Sequence, residues 1–291
     1  MSRRGDYGII NSRYKPTVTI VKQTPLHSKV QLETRHGQGS VQSLARALDL
    51  LEAFPEFGPE LGLTRIAGLA QINKATAYRL LSTLEERGYV ERSQETRKYR
   101  LGRRVFELGS YFQNQLEIRR LALAYLRGMV DQAHEAAFLC IREGDEALCI
   151  ERVEAEQQVN IFTLRVGGRQ PLHCGAAPRA LLAGLDDEEI KAYARRTGLP
   201  AFTPHTITSL DRLIADVQLT RERGYTVSLN DVVVGIAAVG APVHNHTGCT
   251  VASISLSGLS SRYESEHITE LANIVLTTAH RLSAQLGFQE R

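Results

Sequence analysis

Residues 72–90 read INKATAYRLLSTLEERGYV, and this stretch decides the fold of the first part of the chain. Asn73 is a residue type that caps helix starts and Gly88 one that ends helices. Between them Ala77, Leu80, Leu81 and Leu84 recur at i, i+3, i+4 and i+7. The spacing predicts a helix with a narrow apolar stripe on a small core. The opposite face carries Ala75, Arg79, Ser82 and Glu86, flanked by Thr76, Tyr78 and Thr83. Charge is divided along the length, with Lys74 and Arg79 first and Glu85 and Glu86 last. A helix that enters the major groove of DNA puts its N-terminal residues on base edges, where carboxylates would be repelled by phosphate. The stretch fits that use, with Lys74, Ala75, Thr76, Tyr78 and Arg79 towards the groove. Alone, Arg79 is also what any solvated helix presents.

The neighbouring segments decide between those readings. Upstream, Val41, Leu44, Ala45, Leu48 and Leu51 fall on one helical face behind Ser40 as a cap, and Pro55, Gly58, Pro59 and Gly62 read as a loop. Thr64 can cap a short helix over RIAGLA, and Gln71-Ile72 make a turn. Downstream, residues 89–92 and 98–101 read as two short strands around a polar tip. Helix, helix, turn, helix, hairpin is the order of a winged helix-turn-helix, placed at 40–102. Residues 71–104 hold nine basic and four acidic residues, a net of +5, and Arg97 and Lys98 in the wing are suited to neutralising phosphates. Residues 1–39 form a basic tail. The segment from 104 to 133 reads as helix, with a bend near Gly109-Ser110 and a linker helix at 103–118.

The remaining residues, 119–291, alternate strands and helices. AAFLCIREG and EALCIERVE flank Gly144-Asp145 as a hairpin, and VNIFTLRV (159–166) reads as a further strand. Helices follow at about 176–184, 187–197 and 209–223. Residues 232–261 lack Asp, Glu, Lys and Arg, yet Pro242, His244, Asn245, His246 and Gly248 divide them into two β-rich runs, so they read as a buried hairpin and not a membrane span. A last helix covers about 265–286. Short turns between neighbouring strands make this an α+β domain with a mainly antiparallel sheet.

The series resembles a known family. VQSLARALDLLEAF, LTRIAGLAQINKATAYRLLSTLEERGYV and RKYRLGRRVFELG are similar to the N-terminal domain of IclR-type bacterial transcriptional regulators. VGGRQPLHCGAAPRALLAGL, RERGYTVSLNDVVVGIAAVGAPV and VASISLSG are similar to stretches of that family's C-terminal domain. The resemblance runs from about 40 to 288. It implies a GAF-like effector-binding domain, with dimers or dimers of dimers on palindromic double-stranded DNA.

Two C-terminal stretches carry chemistry of their own. In PLHCGAAPRALLAG, Gly175 and Ala176 admit close backbone approach, Pro178 suits a first helical turn, and free N–H groups collect near 175–179. That is either a seat for a carboxylate or a plain strand-to-helix turn. Ser253, Ser255 and Ser257 share one face of a strand whose other face carries Ile254 and Leu256, and buried hydroxyls need partners. The resemblance implies a ligand held by Gly175, Ala176, Ser255 and Ser257, with Ala238 on the facing strand, His173 as a neighbour, and a small carboxylate, aromatic ones included, as effector. This chain departs from the family pattern at Pro178, where many members have glycine, and at Ser228, where many have an acid. Asp231 follows three residues later.

Composition limits the alternatives. The 291 residues suffice for two domains with real cores, and the net charge of +3 excludes nothing. No apolar run follows Arg3 and Arg4, so a cytoplasmic protein is expected. Cys140, Cys149, Cys174 and Cys249 form no C-x-x-C pair and read as reduced thiols; neither metal nor cofactor is implied. The G-x-S-x-G, Walker, H-E-x-x-H and dinucleotide patterns are missing, and the string HNH at 244–246 lacks supporting ligands. An enzyme using His173, Cys174 and Ser257, or a ligand-independent architectural DNA-binding protein, are the competing readings.

Overall fold

A computed structural model describes residues 41–115, 117–155 and 164–289, which form two compact units, up to Arg104 and from Val105 onward. The basic tail, Ser40 and most of the strand read at 159–166 lie outside the described residues.

The first unit holds α1 (Gln42–Phe57), α2 (Leu63–Leu69), α3 (Lys74–Glu86) and the antiparallel pair β1 (Val90–Arg92) and β2 (Tyr99–Leu101). Asn73 caps α3 as the sequence predicts, its side chain accepting the Thr76 N–H at 2.8 Å. Ala77 and Leu81 are fully buried, with Leu80 and Leu84 packed at the core edge beside Leu50, Phe54 and Ile66. Leu61 bridges Tyr99 and so joins the segment before α2 to the wing.

Three local expectations change. α1 continues through Pro55 to Phe57, because proline's φ is helical and only one intrahelical N–H bond is lost so close to the end. α2 starts behind Gly62 with no side-chain cap, which places Thr64 inside the helix. The buried residues of α1 are Leu50, Ala53 and Phe54, whereas Val41, Leu44 and Leu48 form an exposed apolar stripe.

The second unit begins with α4 (Arg103–Gln115), whose first two residues belong to the preceding unit, and α5 (Glu117–Ala133). Gly109 and Ser110 lie inside α4. The strands β3 (Ala136–Glu143), β4 (Glu146–Val153), β5 (Arg169–Pro171), β6 (Thr226–Leu229), β7 (Ile236–His244) and β8 (Thr250–Leu259) form one sheet in the order β5-β4-β3-β8-β7-β6. Every neighbouring pair is antiparallel. The uncharged stretch is the β7–β8 hairpin, turning at Asn245, whose side chain accepts the Thr247 and Cys249 N–H groups.

Side-chain alternation builds two layers on this sheet. Leu139, Val239, Ala241, Ile254 and Leu256 face α5 and α9 (Ser265–Gln285) and form the larger core. The other face is covered by α6 (Ala176–Leu182), α7 (Asp187–Thr197) and α8 (Leu210–Arg223) around Phe138, Cys140, Cys149 and Leu182. Gly240 lets α6 lie close on β7, since a Cβ there would stand 3.0 Å from the Ala176 carbonyl carbon.

Candidate DNA-reading surface and ligand cavity

In the first unit, α3 turns Lys74, Ala75, Tyr78 and Arg79 to solvent and leaves Thr76 half-buried, while Arg97 and Lys98 stand exposed at the wing. The wing tip is fixed by the Ser93 hydroxyl, which accepts the Thr96 N–H at 3.1 Å, and by a left-handed Arg97 at φ 58°. Nearby cations divide into two sets. Arg100 pairs with Glu91 at 3.0 Å, Arg103 lies 3.9 Å from the same carboxylate, and the Arg92 guanidinium stacks on Tyr99. The side chains of Lys74, Arg79, Arg97 and Lys98 have no acidic or hydrogen-bonding partner among the described residues. Four uncommitted cations beside a capped, carboxylate-poor helix start are what phosphates and base edges require.

In the second unit a cleft of about 430 Å³, counting the part open to solvent, lies between α6 and the sheet. Strand register explains its floor. Ser255 stands between Phe138 and Gly240, and Ser257 between Ala136 and Ala238, with Ser228 beyond Ala238. The structure thus brings Gly175, Ala176, Ala238, Ser255 and Ser257 together around one space. The residues that sequence reasoning missed are Phe138, Leu164, Gln170, Val232 and Ile236. Only Gln170 left a signal, a lone amide in a short strand before Pro171.

The serines differ in what they can still bind. Ser253 donates to the Ala177 carbonyl at 2.8 Å and Ser257 to that of Ala237 at 3.0 Å. Ser255, 4 % exposed, has no side-chain partner among the described residues and lines the cleft. The turn at Gly175 has φ 86° and ψ 154°, a conformation for glycine, and a Cβ there would lie 2.7 Å from the Gln170 amide nitrogen. Fewer N–H groups are free than the sequence suggests. That of Gly175 donates to Asp231 at 3.2 Å, that of Arg179 to the Gly175 carbonyl, and Pro178 has none, which leaves Ala176 and Ala177.

Behind this wall lies a buried ion network. The Arg179 guanidinium, 3 % exposed, meets Asp231 at 2.5 Å and Asp216 at 3.0 Å, and donates to the Val227 carbonyl. Ser228 donates its hydroxyl to Asp231, and Thr206 donates to the Asp231 carbonyl at 2.6 Å. Asp231, three residues after Ser228, thus gathers the Ser228 hydroxyl, the Arg179 guanidinium and the Gly175 N–H on one carboxylate.

His173 is not brought to the cleft. Its ring is fully buried, Nδ1 facing the Tyr193 hydroxyl at 2.7 Å and Nε2 the Pro200 carbonyl at 3.0 Å, and burial holds its pKa below the usual imidazole range. Cys174 is also fully buried, and burial pushes its thiol up to about 12, too high for a thiolate nucleophile. Neither side chain is poised for nucleophilic chemistry with Ser257. Among the described residues no group of three or more His, Cys, Asp or Glu side chains could hold a metal, and no helix is long and apolar enough to cross a membrane.

Family comparison decides what this pairing of surfaces belongs to. Residues 43–94 match the model of the IclR helix-turn-helix domain, and residues 111–284 match that of the bacterial transcriptional regulator IclR C-terminal domain. The chain belongs to the IclR family. It is 32 % identical to the HTH-type transcriptional regulator KipR of Bacillus subtilis over 251 residues, covering 86 % of this chain and 99 % of that one. It is likewise 32 % identical to the regulator XynR of Escherichia coli, with 85 % and 98 % covered. The IclR-family regulator structure from Alicyclobacillus acidocaldarius superposes with a TM-score of 0.76 at 28 % identity over 85 % of this chain and all of that one. The Thermotoga maritima IclR structure gives 0.71 at 28 %, over 86 % and 100 %. This IclR-family chain is a transcriptional regulator with a DNA-binding helix-turn-helix and a ligand-binding C-terminal domain.

Proposed function

We propose that the protein is a cytoplasmic, effector-responsive regulator that reads a palindromic operator as a homodimer or dimer of dimers, and whose cleft takes a small organic acid, aromatic carboxylates included. The observation that carries the first half is the set of uncommitted cations, Lys74, Arg79, Arg97 and Lys98, around the start of α3 and the wing. In this reading Ala75, Thr76, Tyr78 and Arg79 meet base edges, while Lys74, Arg97 and Lys98 meet phosphates. The ligand-side reading rests on a cleft floored by an unpartnered Ser255 and walled by Gly175 and Ala176. The exposed stripes Val41, Leu44 and Leu48 on α1 and Phe106, Tyr111 and Phe112 on α4 supply apolar surface for a second copy, and two-fold protein symmetry calls for a palindromic site. Residues 103–118 serve as the linker between the DNA-reading part, 40–102, and the effector-binding part, 119–291.

The test is a thermal-shift screen of the full chain with small carboxylates, followed by DNA binding to its own upstream region with each hit. A ligand that binds only the folded state raises the melting temperature by mass action. No preference for upstream DNA over random duplex at physiological salt would refute the regulator, and no hit would refute the organic-acid effector.

A further inference from the structure

The cleft has a property beyond its shape. None of the thirteen described residues that line it carries an ionisable side chain. The cation nearest in sequence to the Gly175 wall, Arg179, is committed behind it to Asp231, Asp216 and the Val227 carbonyl. The carboxylate of Asp231 is held directly behind Gly175, whose N–H it accepts. Two lining side chains at least 96 % buried retain hydrogen-bonding capacity. Ser255 has an unpartnered hydroxyl, and Gln170, whose amide nitrogen donates to the Cys174 carbonyl at 3.2 Å and also faces the Cys174 thiol, keeps its amide oxygen unmatched among the described residues.

We infer that the cleft accepts a ligand with at most one negative charge and rejects dianions, and that the uncharged amide of Gln170 is a specificity-determining element of that choice. This rests on the small-carboxylate reading above and narrows its class to compact monoacids. One carboxylate can be satisfied by neutral donors, as carboxylates accepting two or three hydrogen bonds are in other proteins. A second would enter a space lined by Phe138, Leu164, Val232 and Ile236, where Arg152, over the Phe138 ring, is already engaged by Glu154 at 3.2 Å and by the Leu164 carbonyl, and burying an unpaired ion is heavily penalised. Gln170 is suited to the task because its amide offers both a donor and an acceptor without charge, and because it stands against Gly175, at the wall that Asp231 already makes unfavourable for further negative charge.

The experiment compares acids of matched skeleton on the full chain by thermal shift and calorimetric titration, namely benzoate with terephthalate and pentanoate with glutarate, together with benzamide and pentanamide. The expected result is that a monoacid binds and its diacid partner is weaker by about tenfold or more. Gln170→Glu is expected to weaken the monoacid by about tenfold relative to the corresponding amide, a change of ratio that general damage to the fold does not produce. Gln170→Met, which keeps the volume and removes the amide, is expected to lower monoacid affinity while leaving the unliganded melting temperature close to wild type. A diacid that binds as well as its monoacid overturns the inference and leaves the organic-acid reading standing. Silence from every acid overturns both, and an unchanged acid-to-amide ratio in Gln170→Glu removes Gln170 from its role.

Discussion

Replacing Asp231 with Asn changes one heavy atom and removes a charge from a group that is 2 % exposed. Three donors converge on that carboxylate: the Arg179 guanidinium at 2.5 Å, the Gly175 N–H at 3.2 Å and the Ser228 hydroxyl. Removing one partner of a buried ion pair costs about 3–5 kcal/mol, because the other charge stays behind without compensation. Arg179 keeps Asp216 on Nε at 3.0 Å, so the lower end of that range, about 3 kcal/mol, is expected. For a domain of this size each kcal/mol moves the melting temperature by roughly 2–4 °C, which gives a fall of about 6–12 °C. Calorimetric melting of Asp231→Asn, Arg179→Met and the double variant at neutral pH measures it. If the pair acts as a unit, the double variant loses at least about 1 kcal/mol less than the sum of the singles, since the second substitution removes a charge already stranded. Strict additivity, or a loss under about 1 kcal/mol in Asp231→Asn, would refute the argument that this network holds the wall of the cleft.

Other consequences are open to the same kind of measurement. Arg79→Ala should weaken specific operator binding by about 1–3 kcal/mol and leave non-specific binding nearly unchanged, as read by gel shift against specific and random duplexes. The folded state holds His173 below its ordinary pKa, so its contribution to stability is complete above about pH 6.5 and is lost as pH falls below that value, where the unfolded chain takes up the proton first. Urea unfolding between about pH 7 and 5.5 should show that loss, with a shallower slope in His173→Gln. Gly258→Ala should destabilise the C-terminal unit by about 1–3 kcal/mol, because the new Cβ would stand 1.9 Å from a carboxylate oxygen of Glu135, which is fully buried and paired with Arg262 at 3.2 Å. A melting temperature equal to wild type would show that Glu135 relocates at no cost.

What the sequence disclosed was local. The cap at Asn73, the stripe through Ala77 and Leu81, and the hairpin around Asn245 each depend on residues within one or two turns, so period and residue type suffice to place them. The serine alternation of β8 was legible for the same reason. The faces of α1 were not, since three of its apolar side chains lie outside the core of their own unit and periodicity does not say which of two apolar stripes is buried. The burial of His173 was not legible, because its partners, Tyr193 and Pro200, come from the middle of α7 and the loop beyond it. The Arg179–Asp231 pair joins residues 52 apart, and nothing local announces that a helical arginine will be buried. Phe138 and Gln170 reached the cleft through sheet order, which puts β3 beside β8 although more than a hundred residues separate them.

Strand β8 has a separate consequence for how such a regulator can diverge. Its even-numbered residues 252–258 are committed to the layer under α5 and α9, where Ile254 and Leu256 are sealed in hydrocarbon and Gly258 makes room for Glu135. Its odd-numbered residues 255 and 257 turn their side chains to the cleft, Ser257 also donating to the Ala237 carbonyl. Because the strand repeats every two residues, a substitution at 255 or 257 changes the cleft face and leaves the side chains of the opposite face in place. On the proposed reading of the cleft, ligand preference and structural integrity are written on alternate letters of one short word, and the first can drift while the second stays fixed.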